Sequence, residues 1–144
     1  MYARFLVLPL LSGLGLTSAA AVAQDAPASS PSTYVAKVNP DAFPEKAGEH
    51  KKTGVTVDPK TVRLITPGID KFSIYNLIGP PHFGEGITRR WNYVLFFPAA
   101  PGSTERQRCR MEIRFVRLPG KYDVVVSEVV WKDQSCADRV AAAE

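Results

Sequence analysis

A histidine and a glutamate stand three residues apart in the run Gly79-Pro80-Pro81-His82-Phe83-Gly84-Glu85-Gly86. They are the one pairing in the chain that could do acid–base chemistry, because a nearby carboxylate can orient an imidazole that titrates near neutral pH. Neither a nucleophile motif nor a metal-ligand spacing accompanies them. The glycines precede a strand rather than a helix, so they do not form a phosphate cradle. The simpler reading is a helix-to-strand connection in which His82 caps a carbonyl and Phe83 seals the edge of the core. The sequence therefore predicts a protein that is not an enzyme and uses no cofactor.

Two further groups of residues carry chemical potential. Cys109 and Cys136 are the only cysteines, and with only two histidines in the chain they are too few for most four-coordinate zinc sites. Arg106, Arg108, Arg110 and Arg114 alternate along one stretch, with Arg89 and Arg90 on a neighbouring one. Together the six could form a basic face attractive to an anionic lipid headgroup, a cell-wall polymer or an acidic protein surface. An equally good reading is a solvated face that charge protects from edge pairing.

The elements that must position these groups occupy only part of the 144 residues. Residues 1–23 read as a secretory signal peptide. Arg4 gives the positive start, Phe5 to Leu16 the apolar run, and Ala21-Val22-Ala23 the small-x-small cleavage pattern. The run is too short for a membrane span, and no other stretch is long and apolar enough for one. Because no cysteine lies in or just after the signal, a lipid anchor is not expected. Export makes nucleic acid a poor partner and makes a disulfide the natural state of a cysteine pair.

Residues 24–60 are rich in Pro, Ala, Ser, Gly and Lys without a sustained period, and are expected to be a disordered linker in which Tyr34, Val35 and Phe43 could still dock. Residues 61–138 carry the patterns of a single small domain, and 139–144 read as a tail. Of the 18 Lys and Arg, 13 fall from Lys60 onward against 9 Asp and Glu there, so the net charge of +4 belongs to the folded part.

Within that domain Asp70 is placed as an N-cap. Phe72, Tyr75, Leu77 and Ile78 follow at helical spacing, Gly79 ends the helix, and Pro80-Pro81 forbids its continuation. Trp91, Tyr93, Leu95 and Phe97 then alternate along a first strand. Cys109, Met111, Ile113 and Phe115 do so along a second, opposite the arginines. A third strand runs from Tyr122 to Trp131, its inner face read as Val125, Ser127, Val129 and Trp131. The expected fold is two-layer α+β: a short helix or helix pair packed on a three-stranded antiparallel sheet. The end of the third strand returns beside the start of the second, which favours a Cys109–Cys136 disulfide over two free buried thiols.

The run from Ile65 to Phe83, followed by Arg90-Trp91-Asn92-Tyr93, resembles the SmpA/OmlA domain of BamE, a small subunit of the outer-membrane β-barrel assembly machine. It is similar in particular to the variant that precedes OmpA-like domains. That variant has a Gly-x-Pro-His-Phe loop, a Trp-x-Tyr strand, a mid-strand Cys and a final Trp followed by Cys, matched here by Gly79 to Phe83, Trp91, Tyr93, Cys109, Trp131 and Cys136. The resemblance covers about 75 residues. It implies helices on a three-stranded antiparallel sheet, acting as a non-catalytic periplasmic scaffold at the outer membrane. The implied partners are assembly components or other envelope proteins, with an anionic lipid or peptidoglycan surface as a further contact. BamE itself is lipid-anchored, which this sequence does not match. The alternative is a secreted inhibitor or ligand-binding module that presents its sheet face to a soluble partner.

Overall fold

A computed structural model describes residues 33–43, 53–84, 86 and 89–144. The sequence expectations for the signal peptide and for Glu85 lie outside them.

Two aspartates start the first two helices. Asp58, extended at φ −73° and ψ 131°, accepts from the Lys60 amide, and Pro59 occupies the first turn of α1, Pro59–Arg63. A proline is tolerated there because its missing N–H would have had no intrahelical partner. Asp70 caps α2, Lys71–Ile78, accepting from the amides of Phe72 at 2.8 Å and Ser73 at 3.0 Å and from Ser73 Oγ at 2.7 Å. These bonds, led by that from the Ser73 hydroxyl, hold the Asp70 carboxyl below its ordinary pKa. Gly79 ends α2 at φ 79°, a conformation that a side chain would strain.

The expected helix is thus present, but its buried face is not the expected one. Ile74 and Ile78 are buried and Tyr75 and Leu77 half-buried, whereas Phe72 is 79% exposed. Ile74 and Ile78 are four apart and set the inward direction, and Phe72 lies off that stripe.

The sheet is mixed and five-stranded rather than antiparallel and three-stranded. Its order is β1-β5-β4-β3-β2. The central meander is antiparallel as expected: β3, Arg90–Pro98, pairs with β4, Arg106–Arg117, and β4 pairs with β5, Val124–Trp131. Each edge then gains a short parallel strand from the stretch read as linker. β1, Ala36–Val38, lies on β5 and β2, Val55–Thr56, lies on β3. Strands of three and two residues leave no periodic signature. Pairing and docking of Tyr34, Val38, Val55 and Val57 against the core hold them in place. Gly54 enters β2 at φ 149°, where a Cβ would lie 2.5 Å from the Phe96 ring, so only glycine lets the chain cross there.

β5 also departs from strict alternation. A bulge at Arg114/Phe115 sets Ile113 opposite Val129 but Phe115 opposite Val126. The inner face is therefore Val126, Val129 and Trp131, not the series through Val125 and Ser127. Ser127 is exposed and donates its hydroxyl to the Arg114 carbonyl.

The chain past Asp138 is not a tail from its first residue: α3 runs Gln134–Ala141 and buries Cys136, Ala137 and Val140. All three helices cover one face of the sheet, around a core that includes Trp91, Tyr93, Phe97, Met111, Ile113 and Trp131. The Cys109–Cys136 disulfide is formed, with Cα atoms 5.8 Å apart, and joins the middle of the sheet to α3.

Candidate functional site

Arg90, Arg106, Arg108, Arg110 and Arg114 of the predicted face share one side of the sheet, but they are not one open patch, and Arg89 lies before β3 with its carbonyl bonded to the Phe115 amide. Arg106, Arg108, Arg110 and Arg114 lie at alternate positions of β4, and Arg90 is directly across from Arg114 in the register, with Arg89 just before it. What this face packs against was not legible in the pattern. Phe43, Val94 and Phe96 form a second buried cluster there, with Phe83 packed against it. The Arg106 guanidinium sits 4.1 Å from the centre of the Phe96 ring, and that of Arg110 lies 5.3 Å from Phe43. Both therefore roof an apolar cluster by cation–π contact, with their stems over it.

Arg114 is neutralised further. Its Nε donates to Glu112 at 2.7 Å and its Nη1 to Glu128 at 2.6 Å, while Lys37 from β1 reaches Glu128 at 2.8 Å. The hydrogen bonds to Glu112 and then to Glu128 raise the Arg114 pKa, and Lys37 and Arg114 lower that of Glu128. Glu112 is 2% exposed, so this chain of charges is partly internal. Arg89 and Arg90 remain exposed at the start of β3.

The Gly-Pro-Pro-His-Phe loop closes the outer edge of β3. The Phe83 and His82 amides both donate to the Asn92 carbonyl, at 3.2 and 3.0 Å, and the Asn92 amide donates back to Phe83 at 2.8 Å. Two residues further along β3, the Val94 amide donates to Nδ1 of His82 at 3.3 Å. His82 therefore receives a bond from an amide, where the sequence placed a carbonyl cap. Its ring fills the place of a strand residue between the Phe83 bridge and β2. Such an acceptor must be the deprotonated nitrogen of a neutral imidazole. Burial lowers the His82 pKa from 6.5, which has the same direction.

The consequence for stability has a definite sign. The unfolded chain takes up this proton first, so the contribution is complete above about pH 6.5 and declines as the pH falls from there toward the lower folded value. In urea titrations of His82→Asn, which keeps an acceptor but does not titrate, this part of the acid-side decline is expected to vanish. Equal slopes in the two proteins would remove His82 as its source.

A site that the sequence pattern concealed lies at the N-terminal end of α2. Lys71, Phe72, Tyr75, Trp91, Tyr122 and Val124 are among the residues lining a cleft of about 720 Å³. The rings of Tyr75 and Trp91 pack at a tilt with centres 5.1 Å apart, Trp91 and Phe115 meet edge to face at 4.8 Å, and the Lys71 ammonium rests 4.8 Å from the centre of the Trp91 ring. Phe72 and Tyr122, which is 93% exposed, present their rings to solvent. The four-residue spacing of Ile74 and Ile78 was the signal that could have turned Phe72 outward.

No protein-family model matches the chain, and no solved structure matches it significantly.

Proposed function

We propose that this chain is an exported, non-catalytic scaffold of the BamE type, which supports outer-membrane protein assembly or envelope integrity through protein or anionic-lipid contacts. The observation that carries the reading is the element order. Two short helices, α1 and α2, precede a three-strand antiparallel meander, β3 to β5, and pack on one of its faces. The residues on which the resemblance rests lie on these elements: Gly79 to Phe83 follows α2, Trp91 and Tyr93 are on β3, and Cys109 on β4 is bonded to Cys136 beyond β5. The two edge strands and α3 complete the fold around these elements.

The contact surface in this reading is the arginine face, whose exposed members include Arg90 and Arg106. Crosslinking mass spectrometry on intact envelopes is expected to join lysines of this chain to an assembly-machine component, and a deletion strain to show lowered outer-membrane protein levels. Recovery of no assembly component together with unchanged levels would remove the assembly role. Release of the chain into the medium in tight complex with one soluble protein would instead favour a secreted inhibitor.

A further inference from the structure

We infer that the cleft beside α2 binds an extended protein segment in which an aromatic side chain lies next to a carboxylate. The inference goes beyond the scaffold reading, since it holds or fails on the isolated chain with no assembly component present.

Shape and composition supply the first part. The cleft, about 720 Å³, is in the size range of small-ligand and peptide sites, with Tyr75 and Trp91 among its lining. Its exposed rings, Phe72 at 79% and Tyr122 at 93%, gain burial only when something covers them. Rigid aromatic rings of this kind are the usual anchors of a protein-binding site.

Charge supplies the second part. The Lys71 ammonium lies 4.8 Å from the centre of the Trp91 ring and 5.0 Å from that of Phe115. None of the ion pairs among the described residues includes it. The neighbouring Asp70 carboxylate is taken up by Ser73 and the Phe72 amide in capping α2. Lys71 is thus a cation in an aromatic setting, open to an incoming anion. Asp123, exposed beside Tyr122, repels the acidic end of a ligand and so leaves Lys71 as its place.

A third and independent observation concerns the floor. Trp91 is 2% exposed, and its indole Nε1–H is buried without an acceptor. A buried donor left unsatisfied is unfavourable, and buried polar groups in native proteins are nearly always paired. That nitrogen is closed to solvent and does not itself meet a ligand, but its ring is among the lining of the cleft and reports on what occupies it. The ligand covers Phe72 and Tyr122 with its ring and pairs its carboxylate with Lys71.

The two tryptophans make a direct test. The Trp131 indole already donates to the Tyr34 hydroxyl, whereas that of Trp91 has no acceptor, so the two ¹⁵N–¹H indole signals respond independently. The probes are acetyl-Gly-Phe-Asp-Gly-amide and its Asn counterpart, titrated into the ¹⁵N-labelled chain. The Asp peptide is expected to move the Trp91 signal, saturating at roughly 0.1 to 1 mM, and to leave Trp131 in place. The Asn peptide is expected to bind about tenfold more weakly, because a charged hydrogen bond is lost. Lys71→Met abolishes that preference, and Phe72→Ala weakens both peptides. Phe72 is exposed, so this variant should melt with the unaltered chain. A Trp91 signal unmoved by either peptide, or equal binding of both, overturns the proposal. So does movement produced only by phosphatidylglycerol vesicles, or only by self-association as the chain is concentrated.

Discussion

Replacing Cys109 and Cys136 by serine, or reducing the disulfide, lowers the melting temperature of the chain by roughly 15–25 °C. The bond closes a sequence separation of 27 residues. Chain entropy alone then gives about 3.5 kcal/mol, and each kcal/mol moves the midpoint of a domain near 100 residues by about 4–8 °C. The effect is concentrated on α3. That helix has only eight residues, and Asp133 makes no side-chain capping bond, so local energetics do not sustain it. It is held by Cys136, Ala137 and Val140 in the core, and by Arg139, which donates to the Pro98 carbonyl and to Gln107. Calorimetry with and without reductant gives the shift. Hydrogen exchange should show the amides of α3 losing protection well before those of β3 and β4, and a shift below about 5 °C would sink the claim.

The second large effect is expected at Arg114. Glu112 is almost wholly buried, and Arg114 Nε is its ion-pair partner. Removing one partner of a buried pair leaves a charge that neither water nor a counter-ion can stabilise, so Arg114→Met should cost about 3–5 kcal/mol. Replacing both members together, Glu112→Leu with Arg114→Met, should recover most of that loss, because the desolvation penalty disappears along with the attraction. Urea denaturation of Arg114→Met, Glu112→Leu and the double variant measures the coupling, and simple additivity would show that Glu112 does not depend on Arg114. The outer half of the network fades with acid. Glu128 has its carboxyl lowered from 4.5 by Lys37 and then Arg114, so its contribution is complete above that value and is lost as the pH falls through the lower folded one.

Much of the centre of this molecule was legible in the sequence. Alternation of Trp91, Tyr93, Leu95 and Phe97, and of Cys109, Met111, Ile113 and Phe115, defined two strands and their inward faces, and all eight residues are buried. Asp70 and Gly79 bracketed α2 because caps are local chemistry. What escaped was set by partners distant in sequence. β1 and β2 are too short to show a period and exist through the strands they join. The bulge at Arg114/Phe115 follows from fitting β5 to β4, and no residue type announces it. The arginines were legible as a face. Glu112 stands among them on β4, but the rest of their neutralisation was not legible, because Glu128 lies on β5 and Lys37 more than 90 residues from Glu128. The aromatic cleft escaped because a phenylalanine in a short helix is read first as core.

The pairing of β1 with β5 has a consequence for how the protein is made. Ala36 lies opposite Val129, so a segment near the start of the described residues completes the edge formed by β5. A chain still being synthesised has no β5 on which to lay β1, and this long-range contact closes late. Until it does, the outer edge of β5 stands open to any strand that meets it. The arm read as a linker is therefore also a protective cover: once laid down on a completed chain, it shields the sheet from pairing with a neighbour.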